Sequence, residues 1–116
     1  MSRRRKSKAA YEIGSGNVYA DLSLRLPEEM LVKAQLVSKI ADLLAERGFN
    51  QTKAAAVLGV PQPKLSKMLR GQFRGFSERK LMDCLTRLGQ NVDIVVRSAP
   101  ATKARGAISV SFANRS

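Results

Sequence analysis

Gln62, Lys64, Ser66, Lys67 and Arg70 lie within nine residues, interleaved with the apolar Leu65, Met68 and Leu69. The apolar trio falls at i, i+3 and i+4, so one helical face is buried and the other presents these donors with almost no negative charge. Such a face suits an electron-rich, anionic surface. It offers amide, hydroxyl and ammonium donors, and no nucleophile paired with a base.

Other chemistries lack their residue types. The chain has no His and a single cysteine, Cys84, which removes zinc sites, His-based acid/base chemistry and Ser-His or Cys-His nucleophiles. No P-loop or dinucleotide-binding glycine pattern is present. Glu28 and Glu29 read as first-turn helix acids placed for the dipole rather than as a catalytic pair. The chain is therefore not expected to be an enzyme, and no cofactor is called for. A lone cysteine also fits a reducing cytosol, so a cytoplasmic protein is expected.

The elements that must position the donor face run from Asn50 to Gly71. Asn50 can cap a helix over Gln51 to Leu58, with Ala54 or Ala55, Val57 and Leu58 inward. Gly59 suits the left-handed position that ends it, and Val60 follows as an apolar plug. Pro61 and Pro63 fit the start of a second helix near Gln62 but not its interior. Two short helices with a glycine turn are what a helix-turn-helix needs to lay its second helix in the major groove. A plainer alternative is a small helical domain whose lysines only solvate its surface.

Charge favours the first reading. The net charge is +12, and much of it sits in the first ten residues and in the C-terminal tail. Between Arg47 and Lys80, however, eight basic residues face the single acid Glu78. That is the footprint of a polyanion partner. Residues 1–13 read as a basic disordered arm, which either touches phosphates or the minor groove or merely aids solubility. No secretory signal or membrane span is expected.

At 116 residues the chain is expected to form one domain, over residues 14–97, with tails. Residues 11–29 read as an extended packed arm or a short strand, in which Tyr19 and Leu22 are packing anchors. Pro27, Glu28 and Glu29 start a helix that runs to about Arg47, with Leu36, Val37, Ile40, Leu43 and Leu44 inward and Lys33 and Lys39 mostly off the stripe. Gly48 stops it, and Phe49 plugs the corner. Gly71 to Gly75 is a loop in which Arg74 can hold a phosphate, or a plain connector. Phe73 and Phe76 are expected inward. Ser77 caps a helix from Glu78 to about Leu88, ended by Gly89.

Residues 91–97, Asn-Val-Asp-Ile-Val-Val-Arg, alternate and are β-branched, which predicts a strand. A strand needs a partner. Either residues 108–112 supply it, from within the basic tail 98–116, or the same strand of a second chain does. A homodimer through Val92, Ile94, Val95 and Val96 is expected, and it would place two recognition helices one turn of DNA apart.

The run Phe-Asn-Gln-Thr-Lys-Ala-Ala, Leu-Gly-Val, Gln-Pro-Lys-Leu-Ser and Leu-Arg-Gly resembles the XRE family, the phage repressor and Cro type of helix-turn-helix. Within it the chain looks like the HigA-type antitoxins, over about residues 14–97. The resemblance implies an all-α, lambda-repressor-like helix-turn-helix domain of about five helices with a short C-terminal β-strand, binding a short inverted repeat in double-stranded DNA as a repressor.

The same resemblance assigns roles by position. Gln51 would hold a phosphate and brace Gln62; Gln62 would read a base edge, most simply adenine; Lys67 would be the second reader, toward guanine, with Ser66 assisting. Lys64, Arg70 and Lys53 would hold phosphates. Pro61 stands where Ser or Thr normally caps, and Pro63 carries no polar group, so base reading from this helix end is narrower than the family pattern. The resemblance also implies a small RelE-like toxin ribonuclease as partner, neutralised by this chain; the alternatives are a stand-alone XRE-type regulator without a toxin, or a module that keeps the fold for protein interaction or RNA binding. Glu12, Asp21, Glu28 and Glu29 make the N-terminal arm the candidate surface for it.

Overall fold

Pro27 opens the first helix with φ −57° and ψ 156°, and its carbonyl accepts from Leu31 N at 3.0 Å. A computed structural model describes residues 27–113, so the basic arm, Tyr19, Leu22, Glu12 and Asp21 lie outside the described residues. Helix α1 (Glu28–Arg47) carries two acids in its first turn and Arg47 in its last, both favourable to the helix dipole. Gly48 ends it at φ 67°, where a side chain would be strained. Val37 and Ile40 are buried along its inner face.

Helix α2 (Gln51–Leu58) starts at Asn50, whose side-chain oxygen accepts from Lys53 N at 2.8 Å, and ends at Gly59 with φ 66°. Helix α3 (Gln62–Leu69) follows after Gly59, Val60 and Pro61. It has no side-chain cap, because Pro61 stands at that position. Helix α4 (Glu78–Arg87) is capped by Ser77, which accepts from Lys80 N at 3.0 Å.

One core holds the four helices together. Ile40, Leu58, Leu65, Met68, Leu81 and Leu88 are fully buried, and Val60 and Phe73 close the core from the connecting turns. Each such Leu, Ile or Met contributes about 1.5–3 kcal/mol of transfer free energy. α1 packs chiefly on α4, while α2 and α3 pack on each other. The α2–α3 pair thereby rests on a base of α1 and α4. Cys84 is buried in it, and desolvation raises its thiol pKa, consistent with an inert packing role.

Two expectations about the fold are corrected. Four helices, not about five, are present among the described residues, and no strand forms at 91–97 or at 108–112. Lys103 N donates to Pro100 O at 3.0 Å, and this turn brings Gly106 close to Ala99. Residues 108–112 lie against α1 instead: Ile108 N donates to the Glu28 carboxylate at 2.6 Å, Val110 packs on the core, and the Lys39 ammonium stands 5.7 Å from the centre of the Phe112 ring. These contacts hold that segment on the helix. Residues 91–97 are left irregular and exposed, without a backbone pairing partner among the described residues.

Candidate nucleic-acid interface

The turn between α2 and α3 is built by backbone constraints. Gly59 takes the left-handed conformation, Val60 N reaches back to Ala55 O at 3.1 Å, and the Val60 side chain, 4% exposed, anchors the turn in the core. Pro61 then sets the entry angle of α3, whose Leu65 and Met68 are completely buried. Their burial orients the rest of the helix. Gln62, Pro63, Lys64, Lys67 and Arg70 are exposed, and Ser66 is half-buried.

Within this face, Arg70 Nη1 donates to Ser66 Oγ at 2.5 Å. Ser66 therefore steadies the guanidinium, which narrows the range of positions Arg70 samples before any partner arrives. Lys64 and Lys67 lie on the flank of α3 that faces the α3–α4 connection. Together with Lys80, from the first turn of α4, they line a cleft of about 550 Å³, floored by Val60 and Phe76 and bordered by Gln72. Residue spacing alone missed Lys80 and Gln72. The available signal was the basic excess of the stretch that ends at Lys80, in which Glu78 is the single acid.

Gln51 and Lys53 are both exposed in the first turn of α2. The Lys53 amide is taken by the Asn50 cap, and its ammonium stands 5.6 Å from the centre of the Phe49 ring, leaving it at the surface. Gln51 and Gln62 are not hydrogen-bonded to each other in the chain alone, so the brace is not present there. Arg74 is exposed in the loop, and its carbonyl accepts from Lys33 Nζ at 3.0 Å. Lys33 was expected off the apolar stripe. It is 5% exposed, under the loop that follows α3.

No acid stands on α3 or lines the cleft, although Asp83 reaches Lys80. Asp83, on α4, is held below the ordinary carboxylate range by the hydrogen bond that Arg87 Nε donates at 3.0 Å, with Lys80 also near at 3.7 Å. Arg87 in turn lies beside Gly59, so α4 supports the turn between α2 and α3. Glu28 and Glu29 are occupied at the start of α1, by Ile108 N and by Lys33 at 3.9 Å. Away from the helices, Val92 is 37% exposed, Ile94 77%, Val95 72% and Val96 90%.

Among the described residues no cluster of potential metal ligands occurs, and no helix is long and apolar enough to cross a membrane. The arrangement offers donors on a convex helix, basic side chains on both flanks, and a rigid base. Comparison with known proteins agrees with this geometry. A family model described as a helix-turn-helix domain matches residues 18–97. A solved structure named "Putative XRE Family Transcriptional Regulator" is 37% identical, with a TM-score of 0.70, over 74% of this chain and 97% of that one. A search of curated proteins found no match. With a helix-turn-helix model spanning most of the chain and a relative of this identity matched over nearly its full length, the protein belongs to the XRE-type helix-turn-helix family.

Proposed function

We propose that the protein is a sequence-specific DNA-binding transcriptional repressor. The observation that carries this reading is the presentation of α3: Leu65 and Met68 are buried to the last atom, while Gln62, Lys64, Lys67 and Arg70 stand out from a helix that carries no acid. An α-helix presented in this way enters the major groove, where amide and ammonium donors meet base edges and the flanking cations meet phosphates. Gln62 and Lys67 are the base readers; Gln51, Lys53, Lys64, Arg70 and Arg74 hold the backbone, and Ser66 steadies Arg70. In vitro selection of duplexes on the full chain tests this. Enrichment of one motif, lost on Gln62→Ala or Lys67→Ala, supports it; equal affinity for all duplexes sinks it.

The working form is a homodimer. Its support is the exposed run Ile94, Val95 and Val96, whose backbone groups lack a partner within the described chain. An edge of that kind pairs readily with a copy of itself about a two-fold axis. Two copies would match the two half-sites of an inverted repeat.

The finer role is that of an antitoxin that autoregulates its own operon and neutralises a small RelE-like toxin in the cytoplasm. Its support is the likeness of the sequence motifs to HigA-type antitoxins. Glu28 and Glu29, both already engaged within the chain, leave little free acid at the described part of the candidate toxin surface. Pull-down of the tagged chain from its native cytosol decides between the two forms. A small protein retained stoichiometrically through high salt, and growth-arresting when expressed alone, supports the antitoxin; DNA alone, released by salt, leaves a stand-alone XRE-type regulator.

A further inference from the structure

Three lysines converge on the cleft beside α3. Lys64 and Lys67 line one wall and Lys80 the other, with Gln72 at the border and no acid among the lining residues. Among the described residues neither Lys64 nor Lys67 is ion-paired, and Lys80 shares only the 3.7 Å contact with Asp83. Like charges around one concavity repel, and low-dielectric walls such as Val60 and Phe76 focus their field into it. An anion at the centre would remove the repulsion. The α4 helix dipole, positive at its Ser77 end, acts in the same direction.

The wall formed by the α3–α4 connection is held from behind. Lys33 Nζ, on a side chain only 7% exposed, donates to Arg74 O at 3.0 Å and lies 3.9 Å from Glu29. Burying an ammonium is costly unless it is hydrogen-bonded, and here its partner is the backbone of the loop that carries Gln72 and Phe76. The bond ties the loop to α1 at its midpoint. Loop position and cleft width are thereby coupled.

We propose that this cleft seats one phosphate of the duplex backbone, gripped by Lys64 and Lys80, and that Lys33 is the positioning residue that holds its outer wall. Lys67, at the cleft's edge, reaches past the phosphate toward the groove. The proposal rests on the DNA-binding reading and adds Lys80, Gln72 and Lys33 to the interface. Its ligand is a phosphate fixed in a polymer, since its cations come from two elements, α3 and α4, that a continuous backbone can bridge.

The test uses the full chain and a duplex obtained by selection, in which single phosphates are replaced in turn by neutral methylphosphonate. One replacement is expected to weaken the wild type but to have no further effect on Lys80→Gln, with the selected motif unchanged. The Lys80→Gln salt slope is expected to fall by about 0.9, the equivalent of one phosphate contact. Lys33→Met, which keeps the buried stem, is expected to show the same loss at a temperature where it is fully folded; should it not fold, Lys80→Gln decides. Additive effects at every phosphate position would overturn the proposal while leaving the DNA-binding reading intact. Saturable, submillimolar binding of inorganic pyrophosphate at Lys64 and Lys80 would also overturn it, in favour of a free phosphorylated ligand. A wild type that selects no duplex motif fails the DNA-binding reading itself, and the backbone-phosphate proposal with it.

Discussion

The Ile108 amide donates to the Glu28 carboxylate at 2.6 Å, across 80 residues of sequence. This bond and the packing of Val110 fasten the C-terminal segment along α1. Val110→Asp would place a charge against the core and is expected to cost about 1–3 kcal/mol. Chemical denaturation of the variant measures it. An unchanged midpoint would mean that the segment is not fastened in solution.

The turn between α2 and α3 depends on Gly59. At φ 66° a side chain is strained by about 1–2 kcal/mol, and a Cβ would meet Arg87 Nη1 at 3.0 Å. Gly59→Ala is expected to lower stability by at least that strain, whereas Gly48→Ala, with open space around it, should cost the strain alone. Paired melting curves distinguish the two.

Capping sets the start of the two helices that flank α3. Asn50→Ala and Ser77→Ala each remove the acceptor for a first-turn amide, and each is expected to cost about 1 kcal/mol. Replacement by Asp should retain most of the stability. Urea titrations read the difference, and equal losses for Ala and Asp would argue against capping.

Acid should weaken the fold through Asp83. The Arg87 hydrogen bond lowers its folded-state pKa, so its contribution is present above the ordinary value of 3.8 and is lost as pH falls through the depressed folded value. Asp83→Asn should therefore lose stability near neutrality and depend less on pH in the acid range. Its side chain is largely open to solvent, which keeps the effect small. Parallel slopes for variant and wild type below pH 4 would contradict the assignment.

Association through residues 91–97 is open to direct measurement. Ile94→Lys with Val95→Lys is expected to halve the mass in solution, by light scattering, without unfolding the helices. An unchanged mass would show that this edge is not the interface.

Much of the core was legible from residue order because it follows local rules. Asn50, Gly59, Ser77 and Gly89 marked helix ends through capping and positive φ, and the i, i+3, i+4 recurrence of Leu65, Met68 and Leu69 oriented α3. Lys33 escaped that logic. Helical periodicity tells which face a residue occupies, but not that a loop 41 residues away covers it and offers a carbonyl. Lys80 joined Lys64 for a similar reason, since only the packing of α4 against the turn brings the two to one cleft.

The C-terminal residues show the division most plainly. By itself the sequence showed that 91–97 and 108–112 would not be helical, because β-branched residues in alternation disfavour helix, but the strands it predicted there do not form. It also placed the helices that start after Pro27, Asn50, Pro61 and Ser77 and gave the basic charge of α3. Only the tertiary structure decided that the two segments do not pair with each other, because pairing is a competition between surfaces. The Glu28 carboxylate and the core beneath Val110 hold 108–112 on α1, and 91–97 is left without a backbone partner among the described residues.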